Sequence, residues 1–219
     1  MSLKNNKFEK SKSFWEDEPL KFSSLYSTRK ILLLPNKIFL QKRIKIIEKY
    51  LKVDLNCSAL DVGCGSGEFT SILKKYFGKV FAIDISEKMI ELAKKNDDAK
   101  EIEFHIGECN KLPFEENSMD FIFALGLFDY VDNINSVIGE FLKVLKKNGE
   151  MIITIPKSPS IFFPFRFFTG IRYKLFDAPP IVNSLSKKQL LSVLNENKLE
   201  VKQLKSLWTT TWILHAKRL

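Results

Sequence analysis

Between residues 58 and 156 the chain alternates two hydrophobic patterns: short apolar runs, and longer stretches with apolar positions three or four apart. The first pattern marks strands buried on both faces, the second amphipathic helices. Ser58–Val62 is predicted as a buried strand, and Glu68–Tyr76 as a helix entered through a glycine turn. Lys79–Ile83 follows as a second strand, then a helix over Ser86–Lys95 with Ser86 as its N-cap. Ile102–Ile106 and Asp120–Leu125 read as the third and fourth strands. A helix over Val137–Leu145 stops by Asn148 and Gly149, and the strand Glu150–Ile155 follows. This β-α-β-α rhythm predicts an α/β fold, a mostly parallel sheet with helices on both faces.

The flanks differ. Residues 1–20 are polar and charged and are expected to be poorly ordered or a flexible lid. From Thr28 to Leu51, apolar residues at Ile31, Leu34, Ile38, Ile44, Ile47 and Leu51 predict a helix interrupted near Pro35. After Pro156 the rhythm breaks, and residues 161–168 read IFFPFRFF, five phenylalanines in eight positions. A helix near Ser186–Glu196 comes next. Leu199–Leu207 and Thr209–Ala216 then form a strand pair, antiparallel because the connection is too short for a crossover helix. The chain divides into an N-terminal helical cap or lid (1–51), a core (52–156), an aromatic insertion (157–185) and a C-terminal helix with its strand pair (186–219).

A length of 219 residues fits one domain with a core of its own. The three cysteines, Cys57, Cys64 and Cys109, show no C-x-x-C spacing, so neither a disulfide framework nor a zinc site is expected. With two histidines in the chain, no metal centre is expected either. The lysine-rich first 20 residues lack the apolar core of a signal peptide, and no 18-residue apolar run occurs. The expected location is the cytoplasm. The net charge of +9 is uneven: residues 1–50 carry +7, residues 51–150 carry −6 and residues 151–219 carry +8. Basic ends can mark an anionic partner, but these lysines form no dense block.

The chemistry starts at LDVGCGSGEFT, residues 60–70. A phosphate-cradling loop needs a lysine after its last glycine, and here Glu68 follows Gly67. A dinucleotide turn needs G-x-G-x-x-G and delivers a pyrophosphate to a helix N-terminus. This turn reads Gly63-x-Gly65-x-Gly67, with Asp61 before it and Glu68 after it. Carboxylates on both sides disfavour an anion and suit a ligand that carries positive charge. S-adenosylmethionine, with a sulfonium and an ammonium, is such a ligand. Asp84, at the end of the next predicted strand, can accept both ribose hydroxyls, a role shared with dinucleotide folds.

Four segments in order, LDVGCGSGEFT, AIDISEKMIELA, GECNKLPFEENSMDFIFALGLFDYV and LKVLKKNGEMIITIP, resemble the class I S-adenosylmethionine-dependent methyltransferases of the small-molecule type. They cover residues 58–156, nearly half the chain. The resemblance implies a Rossmann-like, seven-stranded, mostly parallel sheet with an antiparallel C-terminal strand pair. It implies S-adenosylmethionine as cofactor and S-adenosylhomocysteine as product. Asp61, Gly63, Cys64, Gly65 and Gly67 are carried over as the methionine side of the site, and Asp84 as the ribose clamp. Ile85 is expected on the adenine, with Met89 also on the cofactor side. Gly107-Glu108-Cys109 stands where the family most often has Gly-Asp-Ala, so Glu108 is expected at the adenine amine and Cys109 at the ring edge. Leu125 should lend backbone near the cofactor. Cys64 fits as a small residue in a tight turn, Cys109 lacks the Pro-Cys context of a nucleophile, and His105 is expected in the core.

Methyl transfer is an in-line displacement whose barrier is met largely by positioning. Beyond the fourth strand the stretch ALGLFDYVDN lacks the [ND]-P-P-[YF] motif of adenine-N6 and glutamine-amide methyltransferases, which leaves Asp129 and Tyr130 as candidates for acceptor contact or proton removal. In related enzymes the insertion after the fifth strand roofs the active site. An aromatic, partly basic roof suits a small-molecule or lipid-like acceptor that is apolar with an anionic tail, and peripheral membrane contact. Tyr26 and Arg29 are expected to close over the cofactor carboxylate. Two rival readings are an RNA methyltransferase, suggested by the basic ends but without an RNA-binding module, and a non-catalytic S-adenosylmethionine-binding protein.

Overall fold

The computed structural model describes residues 34–97, 100–158, 183–207 and 210–219. Tyr26, Arg29 and the phenylalanine-rich stretch 161–168 lie outside the described residues. Helix α1 (Leu34–Glu48) leads into β1 (Asp54–Val62), the single-turn α2 (Thr70–Leu73) and β2 (Phe77–Asp84). Then come α3 (Glu87–Asn96), β3 (Ile102–Ile106), β4 (Met119–Ala124), a 3-10 turn (Leu127–Asp129), α4 (Ile134–Val144) and β5 (Leu145–Pro156). Helix α5 (Lys187–Glu196), β6 (Leu199–Leu207) and β7 (Thr211–Arg218) complete the chain. The seven strands form one sheet in the order β3-β2-β1-β4-β5-β7-β6. Strands β1 to β5 pair in parallel, while β7 runs antiparallel to both β5 and β6. This is the expected mostly parallel, Rossmann-like sheet with its antiparallel C-terminal pair.

Period-two alternation sorts the core side chains onto two faces. Leu60, Ile122, Ile153 and Leu214 join one cluster with Ile138 and Phe141 of α4 and Leu190 and Leu194 of α5. Their neighbours Ala59, Phe123, Ile152 and Ile213 join a second cluster with Ile47 of α1, Leu73 of α2 and Ile90 of α3. Both faces are therefore covered, which explains why these strands read as continuous apolar runs rather than alternating ones.

Caps set the helix starts. The Ser86 side chain accepts from the Met89 N–H, as expected, and Ser186 forms a capping box with Gln189. Asn133 accepts from the Ser136 N–H, so α4 begins at Ile134 rather than at the expected Val137. Helix α1 is described from Leu34, with Pro35 its second residue; the expected helical stretch before it, from Thr28, lies outside the described residues. The helix expected over 68–76 shrinks to α2, because the backbone through Gly67 is still turning. Strand β5 starts at Leu145, which pairs with Met119 before an irregularity and then continues from the pairing of Phe121 with Glu150. His105 is not a core residue. Strand β3 is the sheet edge, and the His105 ring is partly exposed, 2.9 Å from Glu103 and edge-on to Phe114.

Candidate functional site

Strand order reverses at β1, which has β2 on one side and β4 on the other. In open α/β sheets the crevice beyond the strand ends at such a point is where ligands bind. The three segments that leave these strands are the glycine turn, the loop after Asp84 and the loop after Ala124.

The N–H groups of Gly63 and Cys64 both donate to the Ile83 carbonyl, at 2.8 and 3.2 Å, which pins the turn to β2. Gly63, Gly65 and Gly67 have φ of +73°, +54° and +83°, in the left-handed region. Two of them serve different ends. A Cβ on Gly67 would lie 3.2 Å from the Ala93 Cβ, so this glycine lets α3 pack against the turn. A Cβ on Gly65 would meet nothing within 4 Å, so this backbone faces open space. Asn96 of α3 adds a bond from its amide to the Ser66 carbonyl, 3.0 Å.

Asp84 binds the loops together. Its Oδ2 accepts the Gly65 N–H at 2.9 Å, its Oδ1 accepts the Ser86 N–H at 3.0 Å, and its carbonyl accepts the Gly107 N–H at 2.9 Å. The sequence pointed to a ribose clamp; the bond to Gly65 adds a brace for the turn that local pattern does not reveal.

Asp61 is buried, and its Oδ2 accepts the Thr70 hydroxyl at 2.7 Å. Burial pushes its carboxyl up to about 7, helped by the nearby negative charges of Asp84 and Glu68, while the Thr70 bond and the charge of Arg43 pull the other way. Arg43 reaches the site from α1. A Cβ on Gly126, after β4, would lie 3.6 Å from its Nη1, and its Nε is buried without a hydrogen-bond partner. Sequence reasoning missed Arg43 and looked to Tyr26 and Arg29 for this cation. The distance along the chain hides it, because only the packing of α1 brings it beside β1 and β4.

The remaining expected residues distribute as follows. Glu68 is exposed, and both its carboxylate oxygens lie 2.9 Å from the Ser66 hydroxyl. Ile85 and Leu125 are half-buried, flanking the strand ends, and Glu108 is exposed beyond β3. Met89, in the first turn of α3, is buried at 1% exposure. Burial raises the Cys64 thiol well above its usual range and pushes Cys109 up to about 12, so neither is a thiolate nucleophile near neutral pH. Asp129 and Tyr130 are half-buried at the 3-10 turn after β4, with Phe128 between β4 and them anchored in the core. Gly126, which opens that turn at φ +89°, donates to the Thr154 hydroxyl at 2.8 Å. Among the described residues no group of His, Cys, Asp and Glu could hold a metal ion, and no helix is long and apolar enough to cross a membrane.

A reversed strand order, a glycine turn braced by a strand-end acid and a second acid behind it define a nucleoside-binding α/β protein. Comparison with known proteins narrows the class. Residues 60–153 match the methyltransferase domain. A demethylmenaquinone methyltransferase of Oceanobacillus iheyensis is 31% identical over 141 residues, 58% of this chain and 59% of that protein. A ubiquinone biosynthesis O-methyltransferase of Pelagibacter ubique is 28% identical over 90% of this chain and 84% of that protein. The chain spans 44–59% of the length of the demethylmenaquinone and ubiquinone/menaquinone C-methyltransferases it matches, about half. Among solved structures, the geranyl diphosphate C-methyltransferase of Streptomyces coelicolor, in complex with Mg2+, geranyl diphosphate and S-adenosylhomocysteine, aligns at TM-score 0.72, with 13% identity over 97% of this chain and 98% of that one. A methyltransferase of Aquifex aeolicus aligns at TM-score 0.69, with 23% identity over 92% of this chain and 99% of that one. The methyltransferase-domain match thus runs from the end of β1 into β5, across the glycine turn and Asp84, and the solved methyltransferases share the fold.

Proposed function

We propose that this chain binds S-adenosylmethionine at the ends of β1, β2 and β4 and transfers its methyl group to a small-molecule acceptor. The observation that carries the proposal is the complementarity around the open space over Gly65. Asp61 lies within electrostatic reach of both Arg43 and Asp84, and Asp84 accepts the Gly65 N–H from the end of β2. A zwitterionic amino-acid end matches the first two, its ammonium toward Asp61 and its carboxylate toward the Arg43 guanidinium, whose Nε is buried without a partner. A carboxylate can accept at about four positions, so Asp84 can brace the turn and still meet ribose hydroxyls. Ile85 and the backbone of Glu108 and Cys109 stand where the adenine would lie, with Gly63, Cys64, Gly67 and Leu125 completing the wall.

When bound, the cofactor supplies a methyl group on a sulfonium, ready for in-line attack. The protein's part is to orient it and to offer acceptor-side groups; Asp129 and Tyr130, on the turn that abuts Gly63 through Leu127, are suited to contact the acceptor or take its proton. The names of the relatives point to an aromatic or isoprenoid acceptor, apolar over most of its surface. Anionic character and contact with a membrane surface extend this reading, resting on the basic, phenylalanine-rich composition of residues 157–185. Three free thiols, Cys57, Cys64 and Cys109, suit the cytoplasm. The test is turnover: radiolabelled S-adenosylmethionine should pass label to at least one member of a panel of demethylated quinones and prenyl diphosphates. Label transfer to RNA alone would contradict the small-molecule reading.

A further inference from the structure

Asp61 sits at an unusual point in the site. It is 2% exposed, on the last stretch of β1, and the Thr70 hydroxyl donates to it at 2.7 Å. The charged and titratable groups around it are Arg43 from α1, Asp84 from the end of β2, and Cys64 and Glu68 from the turn itself. Asp84 and Glu68 oppose a charge on Asp61, Arg43 favours it, and the buried Cys64 thiol stays neutral. Burial first, and then two negative neighbours against one positive, hold the carboxyl protonated below neutral pH until another cation arrives. Thr70 works the other way, since its hydroxyl donates to the ionised form and fixes one oxygen toward α2.

We infer that binding of a cofactor with an α-ammonium group is coupled to release of one proton from Asp61, and that Thr70 is the positioning residue that sets the pH at which this happens. The inference rests on the ligand assignment above. The exchange balances. Asp61 loses its carboxyl proton to the solvent, no covalent bond to the ligand forms, and the resulting carboxylate pairs with the incoming ammonium. Burial raises the Asp61 carboxyl to about 7, so the exchange falls within the pH range where the protein can be handled. Affinity should rise with pH up to neutrality and level off above it. Thr70→Val removes the bond that favours the carboxylate and should move that break to higher pH; Thr70→Ser should restore it.

The experiment is titration calorimetry of the whole chain with S-adenosylhomocysteine, which has the ammonium but lacks the sulfonium. It is run at pH 6 and pH 8 in buffers of different ionisation enthalpy. About one proton should be released per ligand at pH 6 and about 0.1 at pH 8, with affinity weakening about tenfold per pH unit below neutrality. Heats independent of buffer at pH 6, with tight binding, would overturn the inference and leave the ligand assignment standing. No S-adenosylhomocysteine binding at either pH would overturn both. A Thr70→Val profile that coincides with that of the native chain would remove Thr70 from the role. The native chain's proton count decides the coupling even where a variant fails to fold.

Discussion

Asp84 braces the glycine turn and is the proposed ribose clamp, and its substitution should show both. Asp84→Ala removes the acceptor for the Gly65 N–H as well as the proposed ribose partner. Binding of S-adenosylhomocysteine should weaken by at least the ~1.5–3 kcal/mol of one hydrogen bond to a charged group. The melting temperature should drop as well, because the turn loses its brace. A variant that binds normally but melts far lower would make Asp84 purely structural. Asp61 shows the reverse balance. Its folded-state value of about 7 lies above the ordinary 3.8, so between those two pH values the folded chain holds a proton that the unfolded chain gives up. Stability from this group is therefore fully present below about 3.8, falls as pH rises and levels off above about 7, a loss of roughly 4 kcal/mol across the window. Asp61→Asn, which keeps an oxygen for Thr70, should raise the melting temperature at pH 8 far more than at pH 4.5, while weakening the cofactor. Equal effects at both pH values would mean that Asp61 is already charged in the free protein.

Elements show where local pattern suffices and where it fails. The bounds of β3 coincide with the expected Ile102–Ile106, flanked by Glu101 and Gly107, and β6 spans the expected Leu199–Leu207. Helix α3 follows its Ser86 cap in the same way. The start of β5 was not legible: Leu145 to Gly149 is lysine-rich and passes through Asn148 at φ +64°, and only its partner Met119 makes it strand. His105 failed for a related reason, since strand order is a non-local property and β3 turned out to be an edge. The positions of the glycine turn after β1 and of Asp84 at the end of β2 were legible. Arg43 and the Thr70–Asp61 bond were not, because they arise from packing between elements. The contact of the turn with α3 gives an element-scale test. Gly67→Ala puts a side chain at φ +83° and 3.2 Å from Ala93, and should destabilise the fold by about 1–3 kcal/mol in denaturant titration. Gly65→Ala meets the same backbone penalty but no protein atom within 4 Å, so it should lose more in cofactor binding than in packing.

At the scale of the whole molecule, two apolar layers clamp one sheet so that three strand ends meet at a fixed point. Phe141 of α4 is fully buried against Phe128, edge-on at 6.0 Å between ring centroids, which links the helix layer to the turn bearing Asp129. Phe141→Ala should cost about 3–5 kcal/mol of stability. Acceptor turnover should fall further than cofactor affinity, since the glycine turn rests on the other face. The central claim is that this arrangement receives S-adenosylmethionine rather than a dinucleotide. Its most direct measurement is a calorimetric titration of the native chain at pH 8 with S-adenosylhomocysteine and, separately, with NAD. The account predicts one S-adenosylhomocysteine per chain, with a dissociation constant in the range of evolved substrate sites, roughly 1 μM to 1 mM, and no heat with NAD. Binding of NAD without binding of S-adenosylhomocysteine would contradict it.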